Sequence, residues 1–196
     1  MKKIVIASSN KHKISEISIK IQPFFENILS LSDFPKIGEI IEDGNTIEEN
    51  SFIKSRASFM HTKIASVADD TILEVDALNG EPGLYTARYA GKRATYEKNM
   101  TKLLDNLYGV ENSLRTARFR TVISYVDGEN DFSVEGVLEG RILQKKVGNN
   151  GFGYDPIFLS TEYEMSLAEM DSKLKNKISH RGKAIQKFVS KVQEMQ

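Results

Sequence analysis

Two adjacent aspartates, Asp69-Asp70, close a short apolar run, Ala65 to Ala68. Carboxylates at the C-terminal edge of a strand stand where α/β proteins commonly bind ligands. In an extended chain the two side chains point to opposite faces, so one can bind a metal or activate water while the other secures a loop. Glu42, in the loop Ile41-Glu42-Asp43-Gly44, could join them around Mg²⁺. That ion uses few protein carboxylates and fills its remaining positions with water and substrate phosphates. Lys13, Lys54 and Lys175 offer the positive charge that a polyphosphate needs. An acidic pair and scattered lysines are also what a solvated surface carries, so the pattern acquires meaning only from its neighbours.

A second constellation is the loop Gly151-Phe152-Gly153-Tyr154-Asp155-Pro156, which follows Gly148-Asn149-Asn150. It reads either as a turn or as a slot in which Phe152 stacks on a flat ligand and Asp155 bonds to the ligand's edge. A third is Ser179-His180-Arg181 at the start of the last helix. Ser179 is a natural N-cap, but positive side chains in a first turn do not complement the helix dipole. An anionic or electron-rich ligand would give His180 and Arg181 a reason to be there; otherwise they are tolerated surface charges. At the N-terminus, Ser8-Ser9-Asn10 links a strand to a helix and puts Asn10 and Lys13 beside unpaired helix N–H groups that can receive an anion. Simple capping plus an exposed lysine is the alternative.

The elements that must position these groups are legible in part. Ile4 to Ala7 reads as a buried strand, followed by a helix with Ile14, Ile17, Ile21 and Phe24 at helical spacing. A second helix is expected from Ile47 to Ile64, with Thr46 and Glu49 as a capping box and no clean apolar face. Residues 65–68 form a strand ending in the aspartates, and Leu73, Val75 and Ala77 alternate with Glu74 and Asp76 as a second, half-buried one. Gly80-Glu81-Pro82-Gly83 turns the chain. A helix from Thr95 to Leu107 precedes a long strand, Ala117 to Val126. A hairpin through Asp127-Gly128-Glu129-Asn130-Asp131 starts the return strand, which runs to Val147 with an interruption at Gly140. Ile185, Phe188, Val189 and Val192 stripe the last helix. The sum is a mixed α/β protein, parallel in its early part and antiparallel later.

Composition narrows the classes further. The chain has 196 residues, enough for a good core, with 27 Lys+Arg against 27 Asp+Glu. Balanced charge argues against a broad nucleic-acid surface. With no cysteine, disulfides, thiolate metal sites and cysteine nucleophiles are excluded. No stretch approaches membrane-spanning length and the apolar run at the N-terminus is too short for a signal peptide, so a cytoplasmic protein without a membrane partner is expected. Neither GxxxxGK[ST] nor GxGxxG is present.

Six blocks in this order resemble the inosine/xanthosine triphosphate pyrophosphatase family, also called Ham1-like: Ser8 to Lys13, Glu42 to Lys54, Ala68-Asp69-Asp70, Pro82 to Tyr89, Gly151 to Pro156, and Ser179 to Gly182. The resemblance spans almost the whole chain, read as one domain over 1–196. It implies an elongated α/β fold with a central mixed sheet, flanking helices and two lobes about a cleft. It also implies Mg²⁺-dependent hydrolysis of non-canonical purine nucleoside triphosphates (ITP, dITP, XTP) to monophosphate and pyrophosphate, in a homodimer with no stable nucleic-acid partner. Carried onto this chain, it makes Asp70 and Lys13 catalytic and gives Glu42 and Asp70 to the metal. Ser8, Ser9, Asn10, Lys13, Lys54 and Thr71 go to the substrate, together with Phe152, Gly153, Tyr154, Asp155, Lys175, His180 and Arg181. Asp69 and Ser179 support them. Thr71-Ile72 replaces the family's usual Ser-Gly and Ile47 its usual aromatic. The loss of glycine's freedom at 72 raises the question of local loop shape. A non-catalytic nucleotide sensor and a pyrophosphatase for modified pyrimidine nucleotides remain alternative readings.

Overall fold

The computed structural model describes residues 3–195. Its helices are α1 (Lys11–Ile21), α2 (Ile47–Thr62), α3 (Tyr96–Asn106), α4 (Ser172–Ile178) and α5 (His180–Glu194). Its strands are β1 (Lys3–Ile6), β2 (Asn27–Ser30), β3 (Ser66–Val75), β4 (Pro82–Gly83), β5 (Thr116–Val126), β6 (Asp131–Ile142), β7 (Phe158–Ser160) and β8 (Met165–Ser166). The hydrogen-bonded order is β2-β1-β3-β5-β6-β7-β8, with β4 on β3. This is the expected mixed α/β sheet flanked by helices. The chain divides into two compact units, one of Met1–Asp70, Thr121–Gly136 and Arg181–Gln196, the other of Thr71–Arg120 and Val137–His180.

In the first unit β1 runs parallel to β2, from Lys3↔Asn27 to Ile6↔Ser30, and to β3 at Val5↔Ser66 and Ile6↔Val67. Its run of apolar residues suits a strand buried on both faces, and Ile4, Val5 and Ile6 are fully buried. Ile17 and Ile21 of α1 and Ala184, Ile185, Phe188 and Val192 of α5 complete that core. Helix α2 behaves otherwise. Its buried residues are Ile47, Asn50, Ser51, Lys54, Ser55 and Ser58, which explains why no apolar stripe could be read from the sequence. It stops at Thr62 rather than Ile64, because Lys63 adopts a left-handed φ of 57° and returns its N–H to the Phe59 carbonyl at 2.8 Å. Thr46 caps as expected, accepting the Glu49 N–H at 3.0 Å, but the Glu49 carboxylate takes the N–H of Asn45 instead of closing the box on Thr46.

In the second unit β4 pairs antiparallel with the end of β3 (Leu73↔Gly83, Glu74↔Pro82), and β7 lies antiparallel between β6 and β8. Its core gathers Leu73, Val75, Met100, Leu103, Leu107, Phe119, Leu138, Ile142, Ile157 and Phe158. Two expectations are corrected. Residues 66–75 form one strand, not two separated at the aspartates, so Asp70 stands within β3 and not at its end. The β-branched Thr71 and Ile72 favour this continuation, and Ile72, 6 % exposed, sits in regular strand where glycine's freedom is not needed. Nor does Gly140 interrupt β6; it lies inside it because a Cβ there would run into the Leu159 carbonyl and the Phe158 ring.

Arg115 fastens this unit internally. Only 3 % exposed, it donates to the carbonyls of Ile142 at 2.8 Å, Leu107 at 2.8 Å and Leu143 at 2.9 Å. Burial lowers its pKa, yet the fork geometry of the guanidinium meets all three acceptors. Arg115→Met removes the donors and leaves buried carbonyls unmatched, and should cost about 3 kcal/mol of stability in urea unfolding. An unchanged midpoint would contradict this role.

Candidate active site

The first unit collects charged side chains from four elements. Lys13 comes from the first turn of α1, which the Asn10 side chain caps by accepting N–H bonds from His12 at 3.0 Å and Lys13 at 3.5 Å. The Ser8 hydroxyl in turn accepts the Asn10 N–H at 3.2 Å, and Ser9 is exposed. Lys13 Nζ lies 3.1 Å from Asp69 Oδ2. The same oxygen receives Arg181 Nε at 3.0 Å, and Arg181 NH1 meets Glu16 Oε2 at 2.7 Å. This explains the first-turn arginine of α5: it bridges β3 and α1. Burial alone would raise the Asp69 pKa, but Lys13 and Arg181 hold it well below the usual carboxylate range. Burial lowers the Lys13 pKa against the pull of Asp69.

Asp70, next along β3, faces a different set. Lys54 Nζ sits between Asp70 Oδ1 at 3.1 Å and Glu42 Oε2 at 2.9 Å. The Glu42 loop is held to α2 by the Asn50 side chain, whose oxygen accepts the Gly44 N–H at 2.8 Å. Desolvation raises the Asp70 pKa, with Lys54 and Lys13 opposing and Glu42 adding to the rise. Burial opposes the charge on Lys54, but Asp70 and Glu42 outweigh it and raise its pKa. The two neighbouring aspartates are thus driven apart: Asp69 is locked as an anion, and Asp70 is the more basic carboxylate.

Among the described residues no group of three or more His, Cys, Asp or Glu side chains forms a metal cage. The donor set nonetheless suits a hard divalent ion. Glu42 and Asp70 already direct oxygens at one cation, the Lys54 ammonium. Around them four carboxylates (Glu16, Glu42, Asp69, Asp70) meet three cations (Lys13, Lys54, Arg181). One surplus negative charge and two convergent carboxylates fit a Mg²⁺ that completes its shell with phosphate and water.

The second unit holds the aromatic loop. Asp155 Oδ2 accepts the Phe152 N–H at 2.7 Å and pairs with Lys175 Nζ at 2.7 Å. The same ammonium lies 4.6 Å from the centre of the Phe152 ring. Gly151, at φ 78°, has no room for a Cβ beside the Asp155 carboxylate. Asp155 and Lys175 therefore hold the loop and fix the orientation of Phe152, which stays partly exposed, as does Gly153. Tyr96, at the start of α3, stands 6.1 Å from Phe152. Tyr154 turns inward, 4 % exposed, and donates its hydroxyl to the Thr86 carbonyl at 2.9 Å. His180 stacks on Phe119 at 4.6 Å, and Ser179 is the buried, extended residue between α4 and α5. Thr71 follows Asp70 in β3 and is partly exposed.

Sequence reading singled out neither Glu16 nor Tyr96. Glu16 carried a signal, since it lies three residues after Lys13 on one helix face. Nothing in the sequence linked Tyr96 to Phe152.

A sequence profile described as the Ham1 family matches residues 4–191. A protein of Thermoanaerobacter pseudethanolicus named dITP/XTP pyrophosphatase is 49 % identical over 188 residues, covering 95 % of this chain and 94 % of its own. One from Vibrio vulnificus with the same name is 42 % identical over 197 residues, covering 99 % and 98 %. A solved HAM1 protein from Coxiella burnetii superposes with a TM-score of 0.90 at 37 % identity, over 99 % of this chain and 100 % of that one. The Ham1 protein of Staphylococcus aureus gives 0.90 at 36 % identity over 100 % of both chains. Similarity of this extent, across sequence and fold together, places the chain in the Ham1 family.

Proposed function

We propose that this protein hydrolyses deaminated purine nucleoside triphosphates, ITP, dITP and XTP, to the monophosphate and pyrophosphate. The observation that carries the reading is the Lys13, Lys54, Asp69, Asp70 and Glu42 cluster, in which two neighbouring aspartates have opposite electrostatic settings. The names of the similar proteins from Thermoanaerobacter and Vibrio give two of these substrates, dITP and XTP.

Lys13 and Lys54 offset the charge of the triphosphate and fix its oxygens, which is most of what phosphoryl-transfer catalysis requires. Mg²⁺, held by Glu42 and Asp70, would neutralise further phosphate charge. Asp70 takes a proton from water as the water oxygen bonds to the α-phosphorus. The bond from that phosphorus to the α–β bridging oxygen breaks, and pyrophosphate leaves with the electron pair. Asp69 is the poorer base for this step, because Lys13 and Arg181 lower its basicity, both occupy its Oδ2, and it is only 1 % exposed. Arg181 serves the reaction by anchoring Asp69.

Phe152 stacks on the purine, with Lys175 and Asp155 setting the angle of its ring. Selectivity for a 6-oxo purine requires a donor toward its 6-oxygen, where adenine presents a donor of its own. His180 is the candidate for that contact. Phe152→Ala should raise KM for ITP about tenfold while kcat changes less than threefold, on a stacking value of about 1–3 kcal/mol. Unchanged KM would remove Phe152 from base recognition.

The reading is tested by a Mg²⁺-dependent panel of ITP, dITP, XTP, ATP, GTP and modified pyrimidine triphosphates, with both products identified. Monophosphate and pyrophosphate from the deaminated purines are expected. Binding without turnover would indicate a sensor, and preferential cleavage of a modified pyrimidine would move the assignment to that class.

A further inference from the structure

The buried face of α2 is built from hydroxyls, and they converge on the strand that carries the aspartates. Ser51, Ser55 and Ser58 are fully buried, on the same side of the helix as Lys54. Ser66 of β3 donates to the Ser58 hydroxyl at 2.9 Å, which ties the middle of the helix to the start of the strand. Seven residues earlier on the helix, Ser51 Oγ lies 3.2 Å from the carbonyl of Ala68, 3.3 Å from that of Val122 and 2.9 Å from the Ser124 hydroxyl. Ser124 also meets Ser55 at 2.9 Å, and Ser55 can pass its own proton to the Phe52 carbonyl at 3.3 Å. Ser51 has a single proton to share among these three acceptors, while Ser124 can donate to Ser55 and Ser55 to Phe52.

These ties set helix and strand antiparallel, Ser58 against Ser66 and Ser51 against Ala68. Lys54 starts between the two serines, yet its ammonium reaches Asp70, two residues beyond Ala68. Its stem must therefore run back toward the helix N-terminus, as helical side chains do, along the face that carries Ser51 three residues earlier.

We infer that Ser51 is a positioning residue for the phosphate-handling site: its hydroxyl, shared by Ala68, Val122 and Ser124, sets the register of α2 on β3 and with it the Lys54–Asp70 contact. The inference rests on the proposed function only where it predicts turnover; the register itself is independent of the substrate.

The test compares Ser51→Ala with Ser58→Ala, an equally buried serine tied to β3 away from the aspartates. The full-length variants, without substrate, are examined by ¹⁵N NMR of the lysine ammonium groups at one pH. Lys54 should show a rigid, ion-paired signal in the unsubstituted protein and in Ser58→Ala, and a mobile one in Ser51→Ala. With ITP, Ser51→Ala should lower kcat about tenfold with KM changed less than twofold, because misplacement of a catalytic group is felt in the chemical step. Ser58→Ala should keep kcat within twofold. If Ser51→Ala does not fold, Ser51→Cys, which keeps a small side chain but offers only a weak donor, weakens the same contacts and should mobilise Lys54 in the same way. A rigid Lys54 in whichever of these two variants folds, or equal mobility in Ser58→Ala, would overturn the inference. Absence of ITP turnover in the unsubstituted protein would count against the proposed function while leaving the NMR comparison decisive for Ser51.

Discussion

Asp70→Asn should lower kcat for ITP by about 10²–10⁴-fold, the range associated with general acid–base catalysis, with a circular dichroism spectrum like that of the parent. Asparagine keeps the size of the side chain and can still accept from Lys54, so β3 and the Lys54 contact should persist. What it loses is the carboxylate that burial makes more basic. Asp69→Asn should behave differently. That carboxylate holds Lys13 and Arg181, and Arg181 also reaches Glu16. Its neutralisation leaves two buried cations short of charge, a change that breaks a buried pair and destabilises the fold. The expected contrast is a folded, nearly inactive Asp70→Asn and an Asp69→Asn whose unfolding midpoint falls clearly. Near-parental turnover in Asp70→Asn would take Asp70 out of the mechanism.

Lys54→Met has the second largest expected effect. The substitution keeps most of the apolar stem but removes the charge that Glu42 and Asp70 share. Turnover should fall about a hundredfold, as expected when a charge-neutralising group is removed from phosphoryl transfer. Asp70 and Glu42 side chains are 14 % and 36 % exposed, so water relieves part of their repulsion and the stability cost should stay near 1–2 kcal/mol. The two carboxylates, freed of the ammonium, should also respond to divalent cation. Adding Mg²⁺ should raise the Tm of Lys54→Met more than that of the parent. An equal Tm response in the two proteins would speak against Glu42 and Asp70 as the metal-holding pair.

The parts of the fold whose residues are apolar in an unbroken run or at helical spacing were readable in advance. Ile4 to Ala7, the stripe on α5 and the strand from Ala117 to Val126 all carry their burial in their residue types. Short elements of mixed composition were not, since Asn27–Ser30 of β2 and the two residues each of β4 and β8 hold too little apolar pattern to separate strand from turn. Helix α2 was located by its Thr46 cap, but its buried face could not be read, because serines and a lysine occupy positions that apolar residues normally fill. The aspartate pair was recognised as chemistry and misplaced at a strand end, where Thr71 and Ile72 in fact carry β3 onward. The candidate side chains came from residue type and order along the chain. The different electrostatic settings of Asp69 and Asp70 depend on burial together with Lys13 and Arg181 beside the one and Lys54 and Glu42 beside the other, groups far apart in sequence that only the folded chain brings together.

The central claim is that water attacks the α-phosphorus of a deaminated purine triphosphate. Hydrolysis of ITP with Mg²⁺ in ¹⁸O-water, followed by mass spectrometry of both products, tests it directly. The account predicts one ¹⁸O in the monophosphate and none in the pyrophosphate. Label in the pyrophosphate, release of orthophosphate as the first product, or no hydrolysis at all would contradict it.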